Sequence, residues 1–283
     1  MKGLPASSPA EPFFLKAEPG QRFCLFHKPY LDQECRGVII YVHPFCDEMN
    51  KSRRMAAMQA RAFAAIGFSV LQIDLFGCGD SSGQFCDARW DIWKQDLACA
   101  RNWLENHVTA PVSLWGLRLG ALLALDFARD QADPIDRLIL WQPVINGESF
   151  LNQFLRLQIA NEMLAGASAE KKAGTNMMRQ RLAKGEVLEI AGYELAPDLA
   201  AAIDRLKAAE LAVENSAIHW FEIVAEPGRS MMPAGIQVIG EWKRNGIDPH
   251  VYLVACPSFW ATQEIAECPE LVSATADVFA LMA

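Results

Sequence analysis

The sequence predicts an α/β protein built on a doubly wound, mostly parallel sheet with helices on both faces. Strand-like and helix-like segments alternate regularly in both halves of the chain, which favours right-handed crossovers between parallel strands. The inner strands are short continuous apolar runs such as residues 38–43, a pattern typical of parallel strands buried on both faces. The chain has 283 residues, of which 52% are hydrophobic, enough for one large domain with an insertion.

The elements of the first half follow in order. Residues 13–17 and 22–28 alternate apolar and polar around Pro19-Gly20, which indicates an antiparallel hairpin at a sheet edge. The buried run 38–43 precedes a helix at 51–66 that ends at Gly67. The remaining predicted elements are a strand at 68–75, an amphipathic helix at 88–107, a strand at 112–115, a helix at 119–128 and a strand at 138–141.

The alternation resumes in the last third of the chain. The predicted elements there are a strand at 218–224, a helix at 231–244, a strand at 251–255 and a final helix near 270–282. The intervening stretch is mostly helical by composition, with a short hairpin at 187–195. This stretch follows the sixth predicted strand, which is where doubly wound folds of this kind carry a lid. We therefore predict a core of residues 1–143 and 217–283 with a mainly helical cap at 144–216.

Composition argues against several classes of partner and site. The net charge of −8 disfavours nucleic acid or an anionic membrane as a partner. No apolar run approaches the ~18 residues of a membrane-spanning helix, and residues 1–12 do not resemble a signal peptide. The eight cysteines include no C-x-x-C pair and no zinc spacing. We therefore expect a cytoplasmic protein with reduced thiols, no metal and no cofactor.

The segment Gly116-Leu117-Arg118-Leu119-Gly120 is the most informative in the chain. It has the frame of a G-x-S-x-G nucleophile elbow, in which a strand turns sharply into a helix at the top of a parallel sheet. Its position between a predicted strand and a predicted helix indicates the α/β-hydrolase fold. Arg118 stands where the nucleophilic serine is expected, and its guanidinium stays protonated and cannot attack an ester.

Four motifs together resemble one known family. They are His43-Pro44-Phe45, the E-M-N-K-S-R-R run at 48–54, the D-L-F-G-C-G-D-S run at 74–81, and the W-G-L-R-L-G elbow at 115–120. The chain is similar nearly end to end to the second exosortase A system-associated hydrolase family. That resemblance implies an α/β-hydrolase fold, hydrolysis by superfamily membership, and a place in bacterial loci for exopolysaccharide synthesis and protein sorting. It also implies a protein partner from such a system.

The other members of a serine triad are missing from their expected places. The histidine should follow the last strand, but residues 256–262 contain none, and Phe259 or Trp260 is expected to fill that space. The acid should follow the strand at 218–224, where Glu226 is the candidate and a surface charge is the simpler interpretation. The sequence therefore predicts a hydrolase fold without a Ser-His-Asp triad.

Two other catalytic interpretations remain open. His43 lies at the carboxyl end of a strand, where sites form in open α/β sheets, and could act as a base with Glu48 to activate water. Cys46 or Cys78 could be a nucleophile if a nearby cation lowered the thiol pKa. The simpler interpretations are a histidine bonded to a loop carbonyl and cysteines that pack as small apolar residues.

Arg118 is expected at a helix N-terminus, which already favours anions, so its charge requires a partner. The partner is either internal, from Asp47, Glu48 or Glu226, or a ligand carboxylate, phosphate or sugar acid, with Arg53 as a further cation. Residues expected around such a ligand are Arg118, His43, Phe45, Cys46, Leu119 and Trp260.

Three functional hypotheses follow from the sequence. The first is a pseudo-hydrolase that binds an acidic or acylated metabolite, or a protein partner. The second is a working hydrolase or acyl transferase with a non-serine site near His43. The third is a protein–protein interaction module whose apolar cap makes the contact.

Overall fold

The computed structural model describes residues 9–30, 34–164 and 174–280. Its strands are β1 (Glu11–Lys16), β2 (Gln21–His27), β3 (Gly37–Val42), β4 (Phe68–Ile73), β5 (Val112–Leu117), β6 (Arg137–Trp141), β7 (Leu188–Ile190), β8 (Tyr193–Leu195), β9 (Ala217–Val224) and β10 (His250–Ala255). Its α-helices are α1 (Asp47–Ala65), α2 (Trp90–His107), α3 (Leu119–Arg129), α4 (Gly147–Leu164), α5 (Thr175–Ala183), α6 (Pro197–Asp204), α7 (Pro233–Arg244) and α8 (Pro269–Ala280).

An eight-stranded sheet in the order β1-β2-β4-β3-β5-β6-β9-β10 forms the centre of the molecule. The strands from β4 to β10 along this order are parallel, and β2 pairs antiparallel with both β1 and β4. Every residue of β3 and β5 is buried, as expected for parallel strands covered on both faces. The structure therefore confirms the predicted α/β-hydrolase fold class with its edge hairpin.

Helices cover both faces of this sheet. Apolar residues of α1 and α8 form one core with the strand residues on their side, including Phe63, Trp115 and Phe279. Residues of α2, α3 and α7 form the larger core on the opposite face, including Leu97 and Trp242. Trp115 and Trp141 are fully buried in the core on the α1 and α8 side of the sheet, so both are packing residues.

The segment between β6 and β9 carries α4, α5, the β7–β8 hairpin and α6. Helices α4, α5 and α6 pack on one another, and an isolated bridge joins Asn146 to Lys207 near the two ends of the segment. The division into a core and a cap at 144–216 stays a prediction. Residues 165–173 of that segment lie outside the described residues, as do 281 and 282 of the predicted final helix.

Two element boundaries near the elbow differ from the sequence prediction. Helix α1 begins at Asp47 rather than at residue 51, because Cys46 has a positive φ of 51° that turns the chain directly into the helix. Strand β5 continues to Leu117 rather than ending at 115, because Leu117 still pairs with Trp141 of β6.

Candidate functional site

The tight turn between β5 and α3 places Arg118 at the carboxyl edge of the sheet. Arg118 has φ 56° and ψ −117°, a backbone conformation that is uncommon for a residue with a side chain. Its N–H donates to the carbonyl of Trp141 at 2.9 Å, and its carbonyl accepts from the N–H of Val144 at 3.2 Å. These bonds fix the elbow to the end of β6 and to the segment that follows it.

The two glycines of the elbow are required by close backbone contacts. A Cβ on Gly116 would lie 2.4 Å from the Cα of Ala121. A Cβ on Gly120 would lie 2.3 Å from the carbonyl oxygen of Val42 and 2.5 Å from that of His43. The chain therefore keeps the steric frame of a nucleophile elbow although residue 118 has no nucleophile.

The Arg118 side chain makes one hydrogen bond and one ring contact. Its Nε donates to Oε1 of Glu48 at 3.3 Å, and its guanidinium carbon lies 5.4 Å from the centre of the Trp260 ring. Among the described residues, neither Nη atom makes a hydrogen bond. The side chain is 17% exposed, so these two donors open toward solvent or a ligand.

Glu48, in the first turn of α1, is the partner that the structure gives to Arg118. Its second oxygen, Oε2, is buried and has no hydrogen-bond partner within the described part of the chain. Burial raises the pKa of Glu48, and the Arg118 guanidinium acts in the opposite direction. The pair is thus only half satisfied, because one carboxylate oxygen and two guanidinium nitrogens remain available.

The other charged residues predicted around Arg118 have different partners. The pairs are Asp47 with Lys51 at 2.8 Å, Glu226 with Arg229 at 3.8 Å, and Arg53 with Asp74 at 3.4 Å. Of the three alternative partners predicted for Arg118, the structure gives Glu48, and Asp47 and Glu226 pair with other residues. Arg53 lines a different cavity, described below, so it is not an additional cation of this site.

A cleft of about 300 Å³ lies above Arg118 and Glu48. Most of the other residues that line the cleft are apolar: Phe45, Cys46, Phe150, Phe154, Leu157, Trp260 and Ala261. The polar or charged ones are Asp47, Lys51 and Gln153. The volume is at the lower end of the roughly 300–1,000 Å³ typical of small-molecule sites. Of the predicted ligand-contacting residues, Arg118, Phe45, Cys46 and Trp260 line this cleft.

Two of the residues predicted to contact a ligand, His43 and Leu119, do not line the cleft. Leu119 is 2% exposed and packs in the core beneath the elbow. Both residues adjoin a small space of about 10 Å³ that also contacts Trp93, too small for anything but a single water. The core packing of α2 and α3 therefore closes the floor under Arg118.

Both ring nitrogens of His43 are used in structural hydrogen bonds. Nδ1 donates to the carbonyl of Pro44 at 2.7 Å, and Nε2 accepts from the backbone N–H of Leu75 at 3.2 Å. Burial lowers the pKa of His43, which keeps the ring neutral in this arrangement. A neutral imidazole bonded at both nitrogens has no free lone pair to accept a proton, so this geometry disfavours His43 as a general base.

Of the two cysteines near the site, Cys46 is buried and Cys78 is partly buried. Cys46 is 7% exposed, and burial raises the pKa of its thiol well above the usual value. Burial also raises the pKa of the Cys78 thiol. A thiol with a raised pKa is a poor nucleophile at neutral pH, so the surroundings of both cysteines disfavour cysteine catalysis.

An apolar stripe on α4 forms the cleft wall that the sequence reasoning missed. Phe150, Phe154 and Leu157 follow one another at helical spacing, and the rings of Phe150 and Phe154 lie 5.6 Å and 5.1 Å from the ring of Phe45. This i, i+4, i+7 pattern was visible in the segment predicted as a cap. It could have identified α4 as the helix that faces the elbow.

Aromatic residues occupy the region where the fold normally supplies its histidine. Phe259 is fully buried and Trp260 is 7% exposed, with ring centroids 5.0 Å apart. Trp260 contacts the Arg118 guanidinium through its ring, as described above.

Within the described ranges, no group of three His, Cys, Asp or Glu side chains could hold a metal ion, and no helix is long and apolar enough to cross a membrane.

The strand order, the elbow and the overlying cleft define a protein of the α/β-hydrolase fold. Solved structures agree on this class. Est1E from Butyrivibrio proteoclasticus with bound ferulic acid superposes with a TM-score of 0.66 at 16% identity, covering 95% of this chain and 98% of that one. An α/β serine hydrolase homologue from Coxiella burnetii gives 0.59 at 16% identity, covering 96% and 99%. At these identities the likeness shows the fold alone.

The sequence model described as serine aminopeptidase, S33, matches residues 33–187, which is more than half of the chain, and the chain therefore belongs to that family. Human protein ABHD12B is 26% identical over 158 residues, which are 47% of this chain and 41% of that protein. The chain thus matches less than half the length of this curated relative.

Arg118→Ser is expected to show no turnover of p-nitrophenyl acetate or butyrate above the wild-type background. The new hydroxyl would lack a base, because His43 is fully bonded and residues 256–262 contain no histidine. The measurement is the initial rate of p-nitrophenolate release, with Arg118→Ala as the matched control. Saturable turnover in the serine variant alone would show that a base near residue 118 has been overlooked.

Proposed function

We propose that this protein is a non-catalytic member of its family that binds a small amphipathic carboxylate, such as an acyl or aryl acid, in the cleft above Arg118. The observation that carries this proposal is a guanidinium at the elbow that lines an apolar cleft and has two nitrogens without a hydrogen bond to any described residue. In this function the protein keeps the fold of a hydrolase, but the residue at the elbow binds an anion and forms no covalent bond.

The charge at the elbow favours one anionic group. The helix N-terminus contributes roughly half a positive charge, and the two Nη atoms can hold a carboxylate in a bidentate fork. Glu48 offsets part of this charge through a single contact of 3.3 Å. A ligand with one carboxylate matches the remaining charge better than a multiply charged phosphate or sugar acid.

The cleft walls favour an apolar group next to that carboxylate. Phe45, Phe150 and Phe154 form a cluster of edge-to-face rings, and Leu157 is 48% exposed at the cleft. Removing such surface from water stabilises a complex by about 25 cal/mol per Å² before the costs of association are subtracted. The volume of about 300 Å³ suits an aryl ring or a medium-length acyl chain.

The test measures binding of 4-phenylbutyrate and octanoate by isothermal titration calorimetry. Arg118→Ala is expected to weaken both by about 100-fold or more, because two charge-assisted hydrogen bonds are lost. Glu48→Gln is expected to tighten both by about tenfold, because a like charge is removed while the shape is kept. These opposite changes in the two members of one ion pair separate ligand recognition from a general loss of structure.

The controls are a neutral probe and a distant arginine. The alcohol 4-phenylbutan-1-ol is expected to bind at least tenfold more weakly than 4-phenylbutyrate to the wild-type protein. Arg229→Ala removes a cation that is 64% exposed and paired with Glu226, and is expected to leave binding unchanged. Equal binding of the acid by wild type and Arg118→Ala would contradict the proposal.

A hydrolase or acyl transferase is the second candidate function. Family membership favours it, and so does the buried Oε2 of Glu48, which has no partner among the described residues, because a carboxylate of raised pKa can act as a general base toward water. In that case, turnover of p-nitrophenyl esters would be lost in Glu48→Gln and retained in Arg118→Ala. Absence of turnover in the wild-type protein with short and medium-chain esters would exclude those substrates.

We also propose that the bound acid comes from exopolysaccharide synthesis or protein sorting in bacteria, and that a protein of such a system is the partner. The support is the resemblance of the motifs at 43–54, 74–81 and 115–120 to the second exosortase A system-associated hydrolase family. The proposal predicts co-purification of a protein encoded beside this one when both are expressed together. It fails if the tagged protein retains none of the neighbouring gene products.

A further inference from the structure

A second cavity, of about 230 Å³, lies against a different face of α1 from the cleft. Its lining residues come from β2, β3, the end of β4 and α1: Phe23, Leu25, Tyr41, His43, Met49, Arg53, Ala56, Ala57, Gln72, Ile73 and Asp74. None of these residues lines the cleft above Arg118. The two spaces are therefore separate, and the proposed function does not use this one.

Tyr41 supplies an unsatisfied polar group to this cavity. The residue is 6% exposed, and its ring packs against Trp115 with 4.2 Å between centroids. The Tyr41 hydroxyl makes no hydrogen bond with any residue in the described part of the chain, so it is available to a molecule in the cavity. Burial raises the pKa of Tyr41, so the phenol keeps its proton and remains a donor. A hydroxyl in this position is suited to a ligand that accepts a hydrogen bond.

Asp74 and Arg53 provide a charge-balanced polar end beside Tyr41. Asp74 is 7% exposed, and its Oδ2 accepts from the backbone N–H of Asp80 at 3.1 Å and from Nη2 of Arg53 at 3.4 Å. No described residue donates a hydrogen bond to the Oδ1 atom of Asp74. The two opposite charges offset one another, so neither an anionic nor a cationic ligand gains a net attraction here. A neutral group that both donates and accepts suits this end of the cavity.

The rest of the cavity is apolar and only partly closed. Phe23 and Leu25 of β2 are half-buried on one side, and Met49 and Ala57 of α1 lie on the other. Phe14, 52% exposed, contacts the Phe23 ring edge-to-face at 5.6 Å, so apolar surface continues beyond the cavity. A cavity of about 150 Å³ already accommodates benzene. The present space therefore takes a benzene ring with a short substituent.

We propose that this cavity is a second small-molecule site, which binds a neutral molecule carrying one hydroxyl or amide group on a single ring or a short alkyl chain. The Tyr41 hydroxyl donates to the ligand oxygen, and the free Oδ1 of Asp74 accepts from the ligand O–H or N–H. The apolar body lies between β2 and α1. The site is independent of Arg118, so it stands whether or not the cleft binds a carboxylate.

The test is an NMR titration of the wild-type protein with benzyl alcohol, benzamide, benzoate and benzylamine. Benzyl alcohol and benzamide are expected to give saturable shifts at residues 41 and 53–57, whereas the two charged probes bind there at least tenfold more weakly. Tyr41→Phe, which removes one oxygen and keeps the ring contact with Trp115, is expected to weaken benzyl alcohol about fivefold. Ala57→Phe is expected to weaken it at least tenfold by filling the cavity.

The control is Ala62→Phe, the same exchange on the same helix at a residue that does not line the cavity. It is expected to bind benzyl alcohol as the wild type does, and the folding of all three variants is verified by their amide spectra. The proposal is overturned if neither neutral probe gives saturable shifts, if the shifts map to 150–157 instead, or if Ala57→Phe binds as tightly as Ala62→Phe.

Discussion

Replacing Asp96 with alanine is expected to lower the free energy of unfolding by about 3–5 kcal/mol. Asp96 accepts from Nε of Arg22 at 2.6 Å and from the backbone N–H of Phe76 at 2.8 Å. Arg22 is fully buried, and its Nη1 donates to the carbonyl of Pro19 at 2.7 Å. The variant would leave a buried cation without its counter-charge and a buried N–H without an acceptor. Urea unfolding monitored by tryptophan fluorescence measures the change.

A surface pair on the same helix is the matched control for Asp96. Glu105 of α2 accepts from Nε of Arg101 at 2.7 Å, but its side chain is 47% exposed. Glu105→Ala is therefore expected to cost less than about 1 kcal/mol. Replacing both partners, as Arg22→Met with Asp96→Leu, should be far less destabilising than Asp96→Ala alone. A cost for Asp96→Ala no larger than that for Glu105→Ala would contradict the account of a buried pair.

Replacing Gly120 with alanine is expected to lower the free energy of unfolding by about 3 kcal/mol or more. The added Cβ would lie 2.3 Å from the carbonyl oxygen of Val42 and 2.5 Å from that of His43. Both contacts are with backbone atoms at the end of β3, which cannot rotate away as a flexible side chain would. Helix α3 would have to move off the sheet and take the elbow with it. Urea unfolding measures the stability. Titration with 4-phenylbutyrate measures whether the elbow still binds the carboxylate.

Gly240, in α7, provides the opposite case for the same substitution. A Cβ there meets no atom of the described residues within 4 Å, so Gly240→Ala is expected to be neutral or to stabilise the protein by up to about 1 kcal/mol through helix propensity. The contrast between the two variants isolates the close approach of the elbow from the general effect of adding a methyl group. Equal stabilities for both would show that the elbow tolerates a side chain.

The elbow contacts explain why its glycine frame persists without a nucleophile. Gly116 and Gly120 are required by packing between α3 and the ends of β3 and β5, whatever residue stands at 118. The backbone at Arg118 is likewise held by its bonds to Trp141 and Val144. The frame is therefore evidence for the fold, and only the side chain at 118 bears on the chemistry.

The start of α1 decides which carboxylate pairs with Arg118. The sequence predicts a helix from residue 51, which leaves Asp47 and Glu48 outside it as alternative partners. The structure begins the helix at Asp47, and successive residues on a helix point about 100° apart. Glu48 consequently contacts Arg118, while Asp47 pairs with Lys51 one turn further on. A shift of four residues in the helix boundary determined which carboxylate reaches the elbow.

The amino-acid sequence by itself determined the alternating α/β architecture, the elbow frame, the arginine at position 118 and the lack of a histidine at 256–262. These are properties of local patterns and of residue identity, which a chain carries before it folds. Only the tertiary structure decided that Glu48 pairs with Arg118, that Leu75 engages His43, and that Phe150 and Phe154 wall the cleft. Each of these contacts joins residues far apart in the chain, so it depends on how the elements pack.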